Sequence, residues 1–128
     1  INDEGKWSGG KTVLVQSGDV FDRGDHDLVV AELLYSLSNE ASEVGGGVYC
    51  LLGNHEVMNI CTDHSWAARA AFLPFDDLKP EIIEMIGTQD FEKLSGLPEW
   101  AKCRIAAMIP GAPVGKLLSR HGVSIKAV

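Results

Sequence analysis

The sequence predicts an α/β fold, and three observations indicate it. Two short apolar runs, residues 12–16 and 48–52, have the composition and length of buried β-strands. The segment between them repeats leucine and valine at helical spacing. A strand, a crossover helix and a second strand form a parallel βαβ unit, which is almost always right-handed.

The elements of this unit follow in order. The first strand reads Thr-Val-Leu-Val-Gln over residues 12–16. The helix begins near Asp27 and ends at Gly45-Gly46-Gly47, because glycine terminates helices. The second strand occupies residues 48–52, so we expect the βαβ core to span about residues 11–60.

A helical segment is predicted over about residues 61–121. Short helices are expected at residues 66–72, 81–86, 91–94, 98–108 and 113–120, with a turn at Pro74 and Asp76-Asp77 between the first two. Residues 123–128 have the composition of the start of another strand. The aromatic side chains of Trp66, Phe72, Phe75 and Phe91 are expected in the core. We interpret residues 1–128 as a single incomplete domain.

Composition excludes several classes of protein. The 128 residues carry 18 acidic and 11 basic side chains, a net charge of −7, and no basic stripe that would bind nucleic acid. The apolar runs are too short to span a bilayer, so no membrane partner is expected. Three cysteines without CxxC spacing favour free thiols in an intracellular reducing compartment. The oligomeric state is left open.

Two polar runs follow the two predicted strands. They are Gly18-Asp19-Val20-Phe21-Asp22-Arg23-Gly24 and Gly53-Asn54-His55-Glu56, both interpreted as loops. Ligands of open α/β sheets bind beyond the carboxyl ends of strands, and neighbouring parallel strands bring those ends together. The sequence therefore predicts that Asp19 and Asn54 lie close together.

The residue types in these runs suit metal-assisted hydrolysis of a phosphate ester. The Asp19 carboxylate and the Asn54 amide oxygen are ligands that hard divalent cations accept. Arg23 offers a planar fork that matches two phosphate oxygens. His55 can protonate a leaving oxygen near neutral pH, with Asp22 as the partner that orients it. Glu56 is expected to act as a structural acceptor rather than as a ligand.

The two runs resemble the GDxxDRG and GNHE signatures of the phosphoprotein phosphatases, which are calcineurin-like metallophosphoesterases. Residues 7–16, Arg104-Ile105-Ala106-Ala107-Met108 and Gly111-Ala112-Pro113-Val114-Gly115-Lys116 also resemble the Shewanella-like protein phosphatases. The resemblance covers nearly the whole chain. It implies a partial metallophosphoesterase fold, in which the βαβ unit belongs to a central β-sandwich flanked by helices.

The resemblance also implies an activity and a cofactor. The expected function is hydrolysis of phosphate monoesters on phosphoproteins or phosphopeptides by a metallophosphatase with two divalent ions, Mn, Fe or Zn. By analogy, Asp19 bridges the metals, Asn54 binds one of them and Arg23 holds the phosphate. His55, supported by Asp22, then acts as the general acid.

Parts of the family pattern do not occur in this chain. The GDxHG signature is expected upstream of Ile1, and two histidine signatures are expected downstream of residues 123–128. His26 and His64 do not match them and are expected in exposed loops, whereas His121 is interpreted as a helix-end residue. We therefore expect the chain to be a fragment that binds metal weakly and hydrolyses little by itself.

Three alternatives remain open to test. Residues 5–12 fit the nucleotide-binding pattern GxxxxGK[ST], but a strand rather than a helix is predicted after Lys11, so we regard this match as accidental. A small-molecule phosphoesterase, such as a dinucleotide polyphosphatase, uses similar signatures. A catalytically incomplete interaction module is the third alternative.

Overall fold

The computed structural model describes residues 1–124 and is an α/β structure, as predicted. The described residues contain two strands with a 17-residue helix between them, followed by shorter α-helices and 3₁₀ helices. The strands are β1 (Val13–Gln16) and β2 (Gly47–Cys50). The α-helices are α1 (Asp27–Glu43), α2 (Asn54–Ile60), α3 (Lys79–Ile86), α4 (Thr88–Glu92), α5 (Glu99–Met108) and α6 (Pro113–Leu118), and the 3₁₀ helices span Arg69–Leu78 and Lys93–Gly96.

The parallel βαβ unit is confirmed. Strands β1 and β2 pair in parallel, with Val13 opposite Gly47 and Gln16 opposite Cys50. Helix α1 connects them and ends before Gly45, whose φ of +78° suits glycine. Pairing continues beyond β2, where Leu51 forms a parallel bridge with Gly122. The strand predicted over residues 123–128 lies mostly outside the described residues.

The prediction that β1 is buried is wrong. Val13, Leu14 and Val15 are 60%, 40% and 43% exposed. The reason is that helix α1 packs on β2, where Leu37 and Ala41 contact Val48. None of the three exposed β1 residues belongs to that hydrophobic cluster. In the described part of the chain, β1 therefore has a partner strand but little cover on its faces.

The main core lies between the helical segment and the loop after β1. Helix α5 contributes Ala106, Ala107 and Met108, and Phe21 from the loop packs into the same cluster. The helix begins after Pro98, which has an extended conformation. It ends before Ile109, because Pro110 disfavours helical geometry in the residue that precedes it. Helix α5 also contacts α2, which follows β2.

Two predictions of local structure are wrong. Residues 66–68 are not helical, and a 3₁₀ helix instead spans Arg69–Leu78, through the predicted turn. Pro74 removes a backbone donor there, which favours short i→i+3 turns over a continuous α-helix. The run after β2 is not a loop, because Asn54, His55 and Glu56 form the first turn of α2.

No helix in residues 1–124 has the length and apolar character needed to cross a membrane.

Candidate functional site

The site lies where the chain leaves the two strands, and two glycines let these segments touch. A Cβ atom on Gly18 would lie 2.3 Å from the Gly53 backbone nitrogen. A Cβ atom on Gly53 would lie 2.1 Å from Oδ1 of Asp19. Both distances are far inside van der Waals contact, so neither position accepts a side chain. The predicted convergence of the two segments is confirmed.

Glu56 joins the two segments through four hydrogen bonds. Its Oε2 accepts the backbone N–H groups of Asp19 at 2.8 Å and Gly53 at 2.7 Å. Its Oε1 accepts those of Val20 at 2.7 Å and Phe21 at 3.3 Å. The side chain is completely buried. Glu56 is thus the structural acceptor that the sequence predicts, and it holds the loop after β1 against the start of α2.

The loop after β1 has an unusual backbone. Asp19, Asp22 and Arg23 adopt φ values of +56°, +73° and +63°, in the left-handed region that favours glycine. Each such residue costs about 1–2 kcal/mol relative to ordinary geometry. Strain of this kind persists only where surrounding contacts hold it, and here it occurs at all three candidate site residues of this loop.

Asp19 and Asn54 form the oxygen-rich part of the site. Oδ1 of Asp19 accepts the His55 backbone N–H at 3.1 Å. One terminal amide atom of Asn54 lies 3.3 Å from both carboxylate oxygens of Asp19. If that atom is nitrogen, the amide donates a hydrogen bond to the carboxylate. If it is oxygen, three oxygen atoms that can bind a hard metal ion converge. The second arrangement suits a divalent cation.

These two residues fit part of a metal site. Within residues 1–124, no group of three or more histidine, cysteine, aspartate or glutamate side chains could hold a metal ion. Asp19 and Asn54 would therefore supply two protein ligands of a larger set.

Asp22 and His55 form a buried pair. His55 Nδ1 lies 2.7 Å from Oδ2 of Asp22, and the two side chains are 6% and 0% exposed. Because a carboxylate accepts, Nδ1 is the donor, and proton exchange with a substrate falls to Nε2. Asn59 donates its amide to the same Asp22 oxygen at 2.9 Å and to the His55 carbonyl at 2.9 Å. The contact between Asp22 and His55 is as predicted.

Arg104, on α5, completes this cluster. Its Nη2 donates to Oδ1 of Asp22 at 2.9 Å and to Oδ1 of Asn59 at 3.2 Å. Its Nη1 donates to Oδ2 of Asp27 at 2.9 Å and to the Ala71 carbonyl at 3.0 Å. No role is predicted from the sequence for Arg104, which lies in one of the segments that resemble the Shewanella-like protein phosphatases. The available signal was a charged residue within the otherwise apolar stretch of residues 103–108 in α5.

Arg23 and Trp66 form the exposed side of the site. The Arg23 guanidinium lies 5.6 Å from the centre of the Trp66 ring, and Arg23 is exposed. The Trp66 ring also meets His55 edge-on, with 6.4 Å between ring centres. Trp66 is 56% exposed, so its prediction as a core residue is wrong. No sequence pattern distinguished it from Phe72 and Phe75, which are buried as predicted.

The other histidines differ in their surroundings. His26 is exposed, as predicted, and pairs with Asp25. His64 is not, because its ring lies 6.2 Å from that of Phe72, and neither ring nitrogen has a hydrogen-bond partner in the described residues. Burial, with the nearby Arg104 charge, lowers the pKa of His64 to about 4.

The nucleotide-loop alternative finds no support in the geometry. Residues 5–12 lead directly into β1, so no helix amino terminus follows Lys11. A phosphate cradle of that type requires a strand before the loop and a helix after it.

Comparison with known proteins gives consistent matches. The family model described as calcineurin-like phosphoesterase matches residues 3–124. Shewanella-like protein phosphatase 2 of Arabidopsis thaliana is 31% identical over 135 residues, covering 91% of this chain and 34% of the relative. Shewanella-like protein phosphatase 1 of Plasmodium berghei (strain Anka) is 39% identical over 61 residues, covering 48% of this chain and 17% of the relative.

A solved structure is also similar. The cold-active protein-tyrosine phosphatase of a psychrophilic Shewanella species superposes with a TM-score of 0.64 at 26% identity, covering 94% of this chain and 30% of that one. The chain thus spans about a third or less of the length of the proteins it matches.

Proposed function

This chain belongs to the calcineurin-like phosphoesterase family, and we propose on that basis that the full-length protein is a metal-dependent phosphatase acting on phosphate monoesters. The observation that carries the proposal is the cluster at the strand ends. An oxygen-rich pair (Asp19 and Asn54), a buried acid–base pair (Asp22 and His55) and an exposed guanidinium (Arg23) all arise from two adjoining segments.

Each side chain has a role in the proposed reaction. Arg23 binds two oxygens of the phosphoryl group through its fork. As the bond from phosphorus to the leaving oxygen breaks, the electron pair moves to that oxygen and His55 donates a proton from Nε2 to it. Asp22 stabilises the protonated imidazole through Nδ1 and keeps the ring oriented.

The family generally uses divalent metal ions, and Asp19 and Asn54 would hold them here together with further ligands. We propose two ions, of Mn, Fe or Zn. When bound, such ions neutralise charge on the phosphoryl oxygens and activate water for attack.

The proposed substrates are phosphoproteins. Support comes from two relatives, which are protein phosphatases by name, and from the similar structure of a protein-tyrosine phosphatase. The three cysteines, Cys50, Cys61 and Cys103, are free thiols, which supports a reducing intracellular compartment.

The experiment assays the full-length protein on phosphoserine, phosphothreonine and phosphotyrosine peptides, and on dinucleotide polyphosphates, with Mn²⁺, Zn²⁺ or Fe²⁺ added. We expect metal-dependent release of phosphate from at least one peptide. Turnover of dinucleotides alone would favour the small-molecule alternative. No turnover of any substrate with any metal would favour the non-catalytic module.

Two substitutions test the assigned roles. His55→Ala is expected to lower kcat by about 100-fold or more while KM changes little, because general-acid catalysis contributes about 10²–10⁴-fold. Asp19→Asn is expected to lower the metal content measured by elemental analysis. Unchanged kcat with every leaving group, or unchanged metal content, would contradict the respective role.

A further inference from the structure

We infer that Arg104 is a positioning residue that fixes the Asp22–His55 pair in the geometry needed to protonate the leaving oxygen. The inference rests on the proposed function, since it assigns His55 the acid role. Arg104 lies on helix α5, 82 positions away from Asp22 in the chain, and therefore outside the two segments after the strands that carry the other site residues.

The two oxygens of the Asp22 carboxylate accept hydrogen bonds from different partners. Oδ2 accepts from His55 Nδ1 at 2.7 Å and from the Asn59 amide at 2.9 Å. Oδ1 accepts from Arg104 Nη2 at 2.9 Å. With both oxygens engaged, the carboxylate cannot rotate without breaking a contact. The orientation of the His55 ring, which depends on Oδ2, is therefore set in part by Arg104.

The second arm of the guanidinium holds Arg104 itself. Nη1 donates to Oδ2 of Asp27 at 2.9 Å, and the same Asp27 oxygen accepts the backbone N–H of Asp22 at 2.9 Å. Asp22 is thus held at its side chain by one arm and at its backbone through the other. This arrangement also stabilises the strained φ of +73° at Asp22.

The surroundings make this cation costly to place and rigid once placed. Arg104 is completely buried. Its guanidinium carbon lies 5.1–5.9 Å from the ring centres of Phe21, Phe72 and Phe75. A buried guanidinium is tolerated when paired and hydrogen-bonded, and the aromatic faces add cation–π attraction. These contacts leave the guanidinium little room to move away from Asp22.

A positioning role differs from a purely structural role in its dependence on the leaving group. A p-nitrophenolate leaves with little help from an acid, whereas a serine alkoxide requires a proton in the transition state. A misaligned His55 therefore slows alkyl phosphates selectively. General loss of folded protein would slow both substrates in the same proportion.

The test uses Arg104→Lys in the full-length protein, which keeps the positive charge and removes the fork. We expect kcat on a phosphoserine peptide to fall by about 10–100-fold, as expected for loss of orientation, and kcat on p-nitrophenyl phosphate to fall less than about 3-fold. Arg69→Lys is the matched control, because Arg69 is exposed and stacks on Trp100. It should change neither rate.

A double-mutant cycle with His55→Ala tests whether Arg104 acts through His55. If Arg104 acts through His55, then Arg104→Lys should have no further effect on the phosphoserine rate in the His55→Ala background. An equal loss on both substrates, or an undiminished effect without His55, would overturn the inference. If Arg104→Lys does not fold, Asn59→Ala tests the same carboxylate orientation with the same pair of substrates.

The proposed function fails in a different way from this inference. Wild-type protein that hydrolyses neither substrate with any metal would contradict the phosphatase proposal itself. If wild-type protein is active and His55→Ala shows leaving-group selectivity, its absence in Arg104→Lys and Asn59→Ala would contradict only the role of Arg104.

Discussion

Replacing Glu56 with glutamine should destabilise the protein by several kcal/mol, although the two side chains have nearly the same shape. The buried Glu56 carboxylate accepts two backbone N–H groups on each oxygen. Glutamine has one oxygen and one NH₂ group. Whichever way the amide is turned, two N–H donors face an NH₂ group that cannot accept from them.

The magnitude follows from the bonds lost. Hydrogen bonds to a charged group contribute about 1.5–3 kcal/mol each, so losing two costs about 3–6 kcal/mol. The amide should turn its NH₂ group toward Val20 and Phe21, since the Phe21 contact, at 3.3 Å, is the weakest of the four. The loss should then lie toward the lower end of that range.

Urea unfolding of the full-length protein measures this loss, with the slopes of the two transitions compared to confirm that only stability has changed. Glu84→Gln, on the exposed face of α3, is the matched control and should change stability by less than about 0.5 kcal/mol. A Glu56→Gln loss within about 1 kcal/mol of wild type would refute the reasoning that Glu56 joins the two segments.

Three further predictions concern other features of the site and its surroundings. Gly18→Ala should lower the melting temperature much more than Gly111→Ala, because both have φ above +90° but only Gly18 faces backbone at 2.3 Å; equal losses would contradict the steric argument. His64, whose pKa falls from 6.5 to about 4, binds less proton when folded, so its contribution to stability is complete above pH 6.5 and is lost as the pH falls toward 4. His64→Gln should flatten the pH dependence of the free energy of unfolding, measured with urea, between pH 6.5 and 5. An unchanged pH dependence would contradict this prediction. Trp66→Ala should raise KM by about 2–5-fold through loss of the cation–π contact with Arg23, whereas Trp100→Ala should not, and equal effects on KM would contradict this.

The convergence of the site could be predicted from sequence because it depends on local rules. Strand and crossover-helix patterns predicted a parallel pair, and a parallel pair brings Asp19 and Asn54 together at one edge. The contact between Asp22 and His55 follows from the same geometry. The chemical roles of these residues are still predictions.

The contacts made by the helical segment could not be predicted in this way. Arg104 reaches Asp22 because of how α5 packs on the 3₁₀ helix, and no local spacing encodes that packing. The exposure of Trp66 and the partial burial of His64 depend on the same tertiary arrangement. Helix α2 was missed because its first turn carries the polar side chains of the site, which conceal the helical pattern.

The left-handed backbone of the loop after β1 has a consequence for attempts to engineer this protein. Glycine at the exposed Arg23 would relax the main chain and, in the same step, remove the guanidinium. A selection for heat tolerance alone would thus enrich variants that lack the proposed phosphate-binding group. Screens for robust variants should hold this loop constant and search the outward-facing surface of the helices instead.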